Sequence, residues 1–216
     1  MIIEEAQHQW RSKKPYRHRP AEQDTILWQK DLRTLYLESS WGPAVPYQPL
    51  KHPNGAENHG YLPLKGSTEA LSTIPELKGY PELEEFIRVI NSAETPIESV
   101  GCERALRNVE NNWPFTAIQG SYVDIVFTEA KLNQNPENHM HLAIHFLEAV
   151  ENCHQWYGSV EAGIQPFRGL KGVREPWGLM LRITNQGRDA HEARKLWGAT
   201  LAQLAQAATK IPAFKF

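Results

Sequence analysis

FTAIQGSYVDIVFT, residues 115–128, and NPENHMHLAIHFLEAVENC, residues 135–153, decide the fold class between them. The first stretch alternates. Val123, Ile125 and Phe127 point one way, and Tyr122, Asp124 and Val126 the other, because successive strand side chains face opposite sides. Apolar residues on both faces predict a central strand. The second stretch repeats at three and four. Met140, Ala143, Ile144, Leu147 and Val150 make one stripe, widened by Leu142, Phe146 and Ala149, which predicts a helix running to about Cys153. Asn135 and Pro136 mark its start. An asparagine oxygen accepts from the free amides of a first turn, and proline has no amide to leave unpaired there.

Working outward, Ile97–Val109 reads as a strand interrupted at Gly101. Before it, Pro81 opens a helix carrying Leu83, Phe86, Ile87 and Ile90 on one face. After the central helix, Tyr157–Phe167 and Trp177–Thr184 read as two more strands, and Asn185-Gln186-Gly187 as a turn. Asp189, with Glu192 three residues on, predicts a capped helix start. That last helix buries Leu196, Trp197, Leu201, Leu204 and Ala208 and ends before Pro212. Near the N-terminus, Leu27, Trp28, Leu32 and Leu35 recur at helical spacing and predict a helix over 22–38. Residues 39–80 hold Pro43, Pro46, Pro49, Pro53, Pro63 and Pro75, which break regular elements. They also hold Trp41, Tyr47, Leu50, Tyr61, Leu62 and Leu64, too apolar for a linker, so an ordered coil wrapping the core is expected.

Strands in adjacent pairs separated by helices predict an α+β fold. Its form is a two-layer sandwich: a mostly antiparallel sheet of about four to five strands, covered by helices. One domain over 21–216 is expected, preceded by a basic arm over 1–20 that contains Arg11, Lys13, Lys14, Arg17 and Arg19. A chain of 216 residues suffices for one core. Its formal net charge of -2 gives no global attraction to nucleic acid or anionic membrane. No apolar run approaches the ~20 residues a membrane span needs. Cys102 and Cys153 are read as free thiols, since two cysteines do not make a disulfide framework. Met1-Ile2-Ile3-Glu4-Glu5 does not open like a secretory signal, so the cytoplasm is the expected location.

Candidate chemistry is sparse. Arg168, Lys171 and Arg174 lie in a glycine-containing loop over 165–177. Guanidinium groups grip carboxylate or phosphate in a fork, so this is a candidate anion or acidic-partner site. It fits neither the Walker nor the dinucleotide pattern. Asp124 is a lone carboxylate within an apolar strand, where burial raises the pKa of an acid that has no partner. His59 is a further candidate ligand-binding group. His141, His145 and Glu148 are four and three apart on one helical face, a spacing that suits zinc or iron. The same face is solvated opposite the apolar stripe, and Leu142 stands where a zincin needs glutamate, so no metal and no other cofactor is expected. Cys102 lies between Gly101 and Glu103, and the adjacent carboxylate opposes a reactive thiolate.

Asn58-His59-Gly60-Tyr61-Leu62-Pro63 resembles a stretch of the fungal heme-thiolate peroxygenases. In that family it follows a Pro-Cys-Pro whose cysteine ligates heme iron. Here His52-Pro53-Asn54 precedes it and no cysteine is present, so the six-residue resemblance implies no heme ligand and no activity.

The leading expectation is a non-enzymatic intracellular protein that binds a partner protein, of an accessory, regulatory or immunity type. Its surfaces are the aromatic coil and the basic loop. A homodimer is left open. A second reading is an enzyme with a pocket between sheet and coil, drawing on Asp124, His59, His141, His145, Arg168 and Arg174. A third is a nucleic-acid-binding accessory using the basic arm, although the acidic balance of the rest argues against nucleic acid as partner.

Overall fold

The computed structural model describes residues 23–53, 55, 57–110, 114–150, 158–170 and 172–212. The arm over 1–20, Cys153 and Lys171 lie outside them. The fold is α+β. Among the described residues, three helices, α1 (Pro81–Ile90), α2 (Pro136–Ala149) and α3 (Ala190–Ala208), pack on one mixed sheet. The strands are β1 (Thr25–Lys30), β2 (Arg33–Leu37), β5 (Ile97–Asn108), β6 (Ala117–Phe127), β7 (Gly158–Pro166) and β8 (Trp177–Gly187). Between the first two and β5, β3 (Leu50–Lys51) and β4 (Glu57–Asn58) form a separate two-stranded ribbon.

The six-stranded sheet has the order β1-β2-β7-β8-β6-β5. Helix α2 carries the chain from β6 to β7 across the sheet, and β8 then returns into the gap, antiparallel to both neighbours. Two features depart from the sequence reading. The sheet has six strands rather than four to five, and it is not uniformly antiparallel, because β2 pairs with β7 in parallel.

Both departures trace to the segment read as a helix over 22–38: from Thr25 to Leu37 it forms the β1–β2 hairpin. Asp31 takes a left-handed φ of 53° in a two-residue turn between the paired Lys30 and Arg33. Aspartate tolerates that conformation better than most residues. The 3–4 spacing of Leu27, Trp28, Leu32 and Leu35 hides an alternation. Leu35 joins the main core, while Thr34, Tyr36 and Glu38 face the opposite side. Arg33 donates to the Leu147 carbonyl at 2.9 Å, placing a cation at the C-terminal end of α2. Residues 185–187 likewise continue β8 and are not a turn: Asn185 pairs with both Gln119 and Gly158.

Elsewhere the local signals hold. Asn135 accepts from the Glu137 amide at 2.9 Å and Asp189 from the Glu192 amide at 2.8 Å, each satisfying a free helix donor. The helix-facing side of the sheet contributes Val123, Ile125, Phe127, Leu179, Leu181 and Ile183 to the core. The helices add Phe86, Phe146 and Trp197, each fully buried and worth about 1.5–3 kcal/mol.

The described residues of the segment over 39–80 are not pure coil. Besides β3 and β4 it contains 3-10 turns at Glu69–Thr73 and Pro75–Leu77, and it buries Val45, Leu64, Leu71 and Leu77. Lys65 anchors it. Its ammonium, with three N–H donors, sits within hydrogen-bond distance of the carbonyls of Ser92 (2.6 Å), Thr95 (2.5 Å) and Ile97 (2.7 Å) and of the Thr95 hydroxyl (2.8 Å), just past the end of α1. Burial pulls its pKa down, and Glu98 pulls it back up. Replacing it with methionine strands those carbonyls. Lys65→Met is expected to cost about 2–3 kcal/mol in urea denaturation, on the scale of one charged hydrogen-bond group. Lys65→Arg should not restore the loss, because a planar fork does not match converging carbonyls.

Candidate functional site

The side of the sheet away from the helices carries polar rows. Tyr36, Gly163, Met180, Asp124 and Gly101 stand in one row across five strands. Thr34, Glu161, Arg182, Tyr122 and Glu103 stand in the next. Glycines in central strands mark close approach. The Tyr36 ring lies over Gly163, where a Cβ would sit 3.1 Å from it, and the Phe167 ring lies over Gly178, where a Cβ would sit 1.9 Å from it. Arg182 donates to the Tyr36 hydroxyl and, at 2.9 Å, to Glu38 Oε1. Glu38 Oε2 is buried without a hydrogen-bond partner among the described residues. Asp124 Oδ1 accepts weakly from Gln165 at 3.4 Å.

Asp124 is buried, and burial pushes its carboxyl up to about 8; Arg182 opposes the rise and Glu38 adds to it. It is therefore largely protonated at neutral pH. Tyr47 reaches it from the coil: a Cβ on Gly101 would lie 3.1 Å from Asp124 Oδ2 and 3.4 Å from the Tyr47 hydroxyl. Burial, helped by Cys102 and Asp124, lifts that hydroxyl to about 12. The Cys102 thiol is pushed up to about 12 by burial and by Glu76, Asp124 and Glu103. It is an inert thiol at physiological pH.

At the rim the coil is stitched to the β7–β8 loop. Gly42 donates to the Pro166 carbonyl (2.8 Å), Val45 to Arg168 (2.7 Å) and Arg168 back to Pro43 (3.3 Å). Gly169 is required there: its φ is +79°, and a Cβ would meet the Val45 carbonyl oxygen at 2.6 Å. Beneath, Val45, Val100, Val126 and Phe167 form a second small core. These contacts set Trp41, 55% exposed, beside Arg168, whose guanidinium lies 5.8 Å from the indole centroid. The loop is closed by Phe167 donating to Pro176 at 2.7 Å, so exposed Arg174 emerges on its other arm. Leu50 and Leu62, also exposed, flank the base of the coil's hairpin, where Tyr61 donates to the Tyr47 carbonyl at 2.9 Å.

The sequence candidates do not converge on one cleft. Asp124 is buried on the sheet, and His59 is on the coil surface, 4.0 Å from Glu76. His141, His145 and Glu148 are on α2, across the sheet. His141 and Glu148 are exposed, and His145 Nε2 is held 2.9 Å from the Ala207 carbonyl. Among the described residues no group of three or more His, Cys, Asp or Glu could hold a metal ion. The groups that sequence reasoning missed are Tyr36, Glu38, Glu161 and Arg182. Their period-two spacing along β2, β7 and β8 was the available signal. Among the described residues, no helix is long and apolar enough to cross a membrane. No protein-family model, curated protein or solved structure matches the chain.

Proposed function

We propose that this chain is a non-enzymatic cytoplasmic protein that binds a partner protein, in an accessory, regulatory or immunity role, through the coil and the β7–β8 loop. The observation that carries the reading is Trp41. It is more than half exposed, yet its neighbours are fixed by three backbone hydrogen bonds to the loop. A large apolar side chain displayed on a fixed backbone, beside arginine, is the composition of interface hot spots. The scatter of Asp124, His59, His141 and His145 over separate surfaces favours binding over catalysis.

The second reading, an enzyme with a pocket between sheet and coil, draws on Asp124 alone, a proton-holding acid beneath Tyr47. Nothing specific favours nucleic acid.

The test is co-purification from native cells of tagged wild-type chain and of Trp41→Ala, a surface change expected to leave stability within about 0.5 kcal/mol. A stoichiometric protein partner that binds the wild type and is reduced at least about tenfold on Trp41→Ala is expected. Recovery of the chain alone, or a partner indifferent to Trp41, contradicts the reading.

A further inference from the structure

The rim around Trp41 is basic in a chain whose formal net charge is -2. Arg168 and Arg174 are both exposed, and neither forms an ion pair with a described residue. Arg88, Arg182, Arg188 and Arg194 are by contrast each matched to a glutamate; exposed Arg107 shares the absence of an ion pair with a described residue but has no described aromatic ring set against it as Arg168 does. Arg168 is also oriented before any partner arrives, by Trp41 on one side and by its backbone pairing with Pro43 and Val45 on the other. Pre-orientation lowers the entropy lost on binding. Glu175, the exposed carboxylate next to Arg174, forms no ion pair with a described residue.

From this we infer that the rim of Trp41, Arg168 and the β7–β8 loop that carries Arg174 receives an acidic segment of a partner protein, its carboxylates meeting the Arg168 guanidinium beside the indole and that of Arg174 on the same loop. Carboxylates fit better than a nucleic-acid backbone for two reasons. A phosphate track needs a run of cations, and the described rim offers two arginines with a carboxylate among them. Exposed apolar side chains, Leu50 and Leu62, stand on the same coil as Trp41, which suits a peptide and not a sugar-phosphate chain.

The inference rests on the protein-binding reading and is tested apart from it. Fluorescence anisotropy with the full chain uses three labelled probes: a polyglutamate peptide of about twenty residues, a polylysine peptide, and a single-stranded RNA of similar length, each at rising salt. Polyglutamate is expected to bind at low salt, to weaken as salt screens the charges, and to lose about tenfold or more on Arg168→Glu with Arg174→Glu. Arg188→Glu, on the far side of the chain's rim contacts and already paired with Glu192, should leave polyglutamate binding unchanged. Absence of polyglutamate binding, binding insensitive to the double reversal, or RNA binding tighter than polyglutamate by about tenfold overturns the inference. If one of those results accompanies Trp41-dependent capture of a partner, the acidic chemistry falls and the protein-binding reading stands.

Discussion

Stability measured against pH is expected to form a plateau between two falls, and two buried groups set its edges. The folded Asp124 carboxyl keeps its proton up to about 8, whereas in the unfolded chain it ionises near 3.8. Between those values the folded state binds the extra proton, so stability falls as pH rises. His139 acts in the opposite sense. It is fully buried against Phe127, with ring centroids 5.0 Å apart, and its polar interaction is with the Trp177 backbone. Burial drives its pKa down to about 3, with the Trp177 backbone opposing, against 6.5 for an ordinary histidine. There the unfolded state binds the extra proton, so stability is lost as pH falls through that window. From about pH 4 to 6.5 the two slopes cancel, giving the plateau. Above it the Asp124 slope stands alone until about pH 8.

Asp124→Asn should abolish the alkaline fall and leave the variant more stable than wild type at pH 8, by up to several kcal/mol. His139→Gln should remove the plateau, so that stability climbs steadily as pH falls from about 8 to about 4 and no acid fall follows. Urea denaturation from pH 3 to 9 measures both. A wild-type stability that rises between pH 6.5 and 8 would sink this account of Asp124.

Gly178→Ala is expected to cost about 3 kcal/mol, the upper end for overpacking. The added methyl would sit 1.9 Å from the Phe167 ring, and that ring is fully buried under Val45, with Val100 and Val126 beside it. Gly42 also packs close to that ring edge, since a Cβ built there would lie 3.1 Å from it, so the ring has little room to move aside. The displaced ring would loosen the stitching between coil and loop, so partner binding should weaken along with stability. A double-mutant cycle checks the mechanism. Phe167→Ala costs about 3–5 kcal/mol by itself through the cavity it leaves, but adding Gly178→Ala to it should cost little. Additive losses would mean that the ring is not what the methyl meets.

Much of the architecture was legible in the chain. The β6 alternation, the α2 stripe and the caps at Asn135 and Asp189 each rest on local chemistry that the fold preserves. The hairpin over 25–37 was not, because of the four residues at helical spacing only Trp28 and Leu35 pair as strand residues on the core side, Leu27 sits at a bulge and Leu32 in the turn, and Asp31-Leu32 lacks the Asn-Gly or Asp-Gly signature of a two-residue turn. The polar end of β8 was read as a turn for a similar reason. Asn185 and Gln186 are turn types by composition, yet both are buried in paired strand, where Thr200 of α3 reaches Asn185 at 3.4 Å. At the rim, Arg168 and Arg174 were legible as residue types. Their relation to Trp41 was not, because it depends on the coil crossing to the β7–β8 loop, a long-range contact that no spacing records.

Site-directed photo-crosslinking in native cells tests the binding claim most directly, with the photoreactive residue placed at position 41 in one sample and at position 141, on the exposed outer face of α2, in another. The account predicts a specific protein crosslink from position 41, lost on Arg168→Glu with Arg174→Glu, and none from position 141. A crosslink from position 141 with none from position 41, or silence from both, would contradict it.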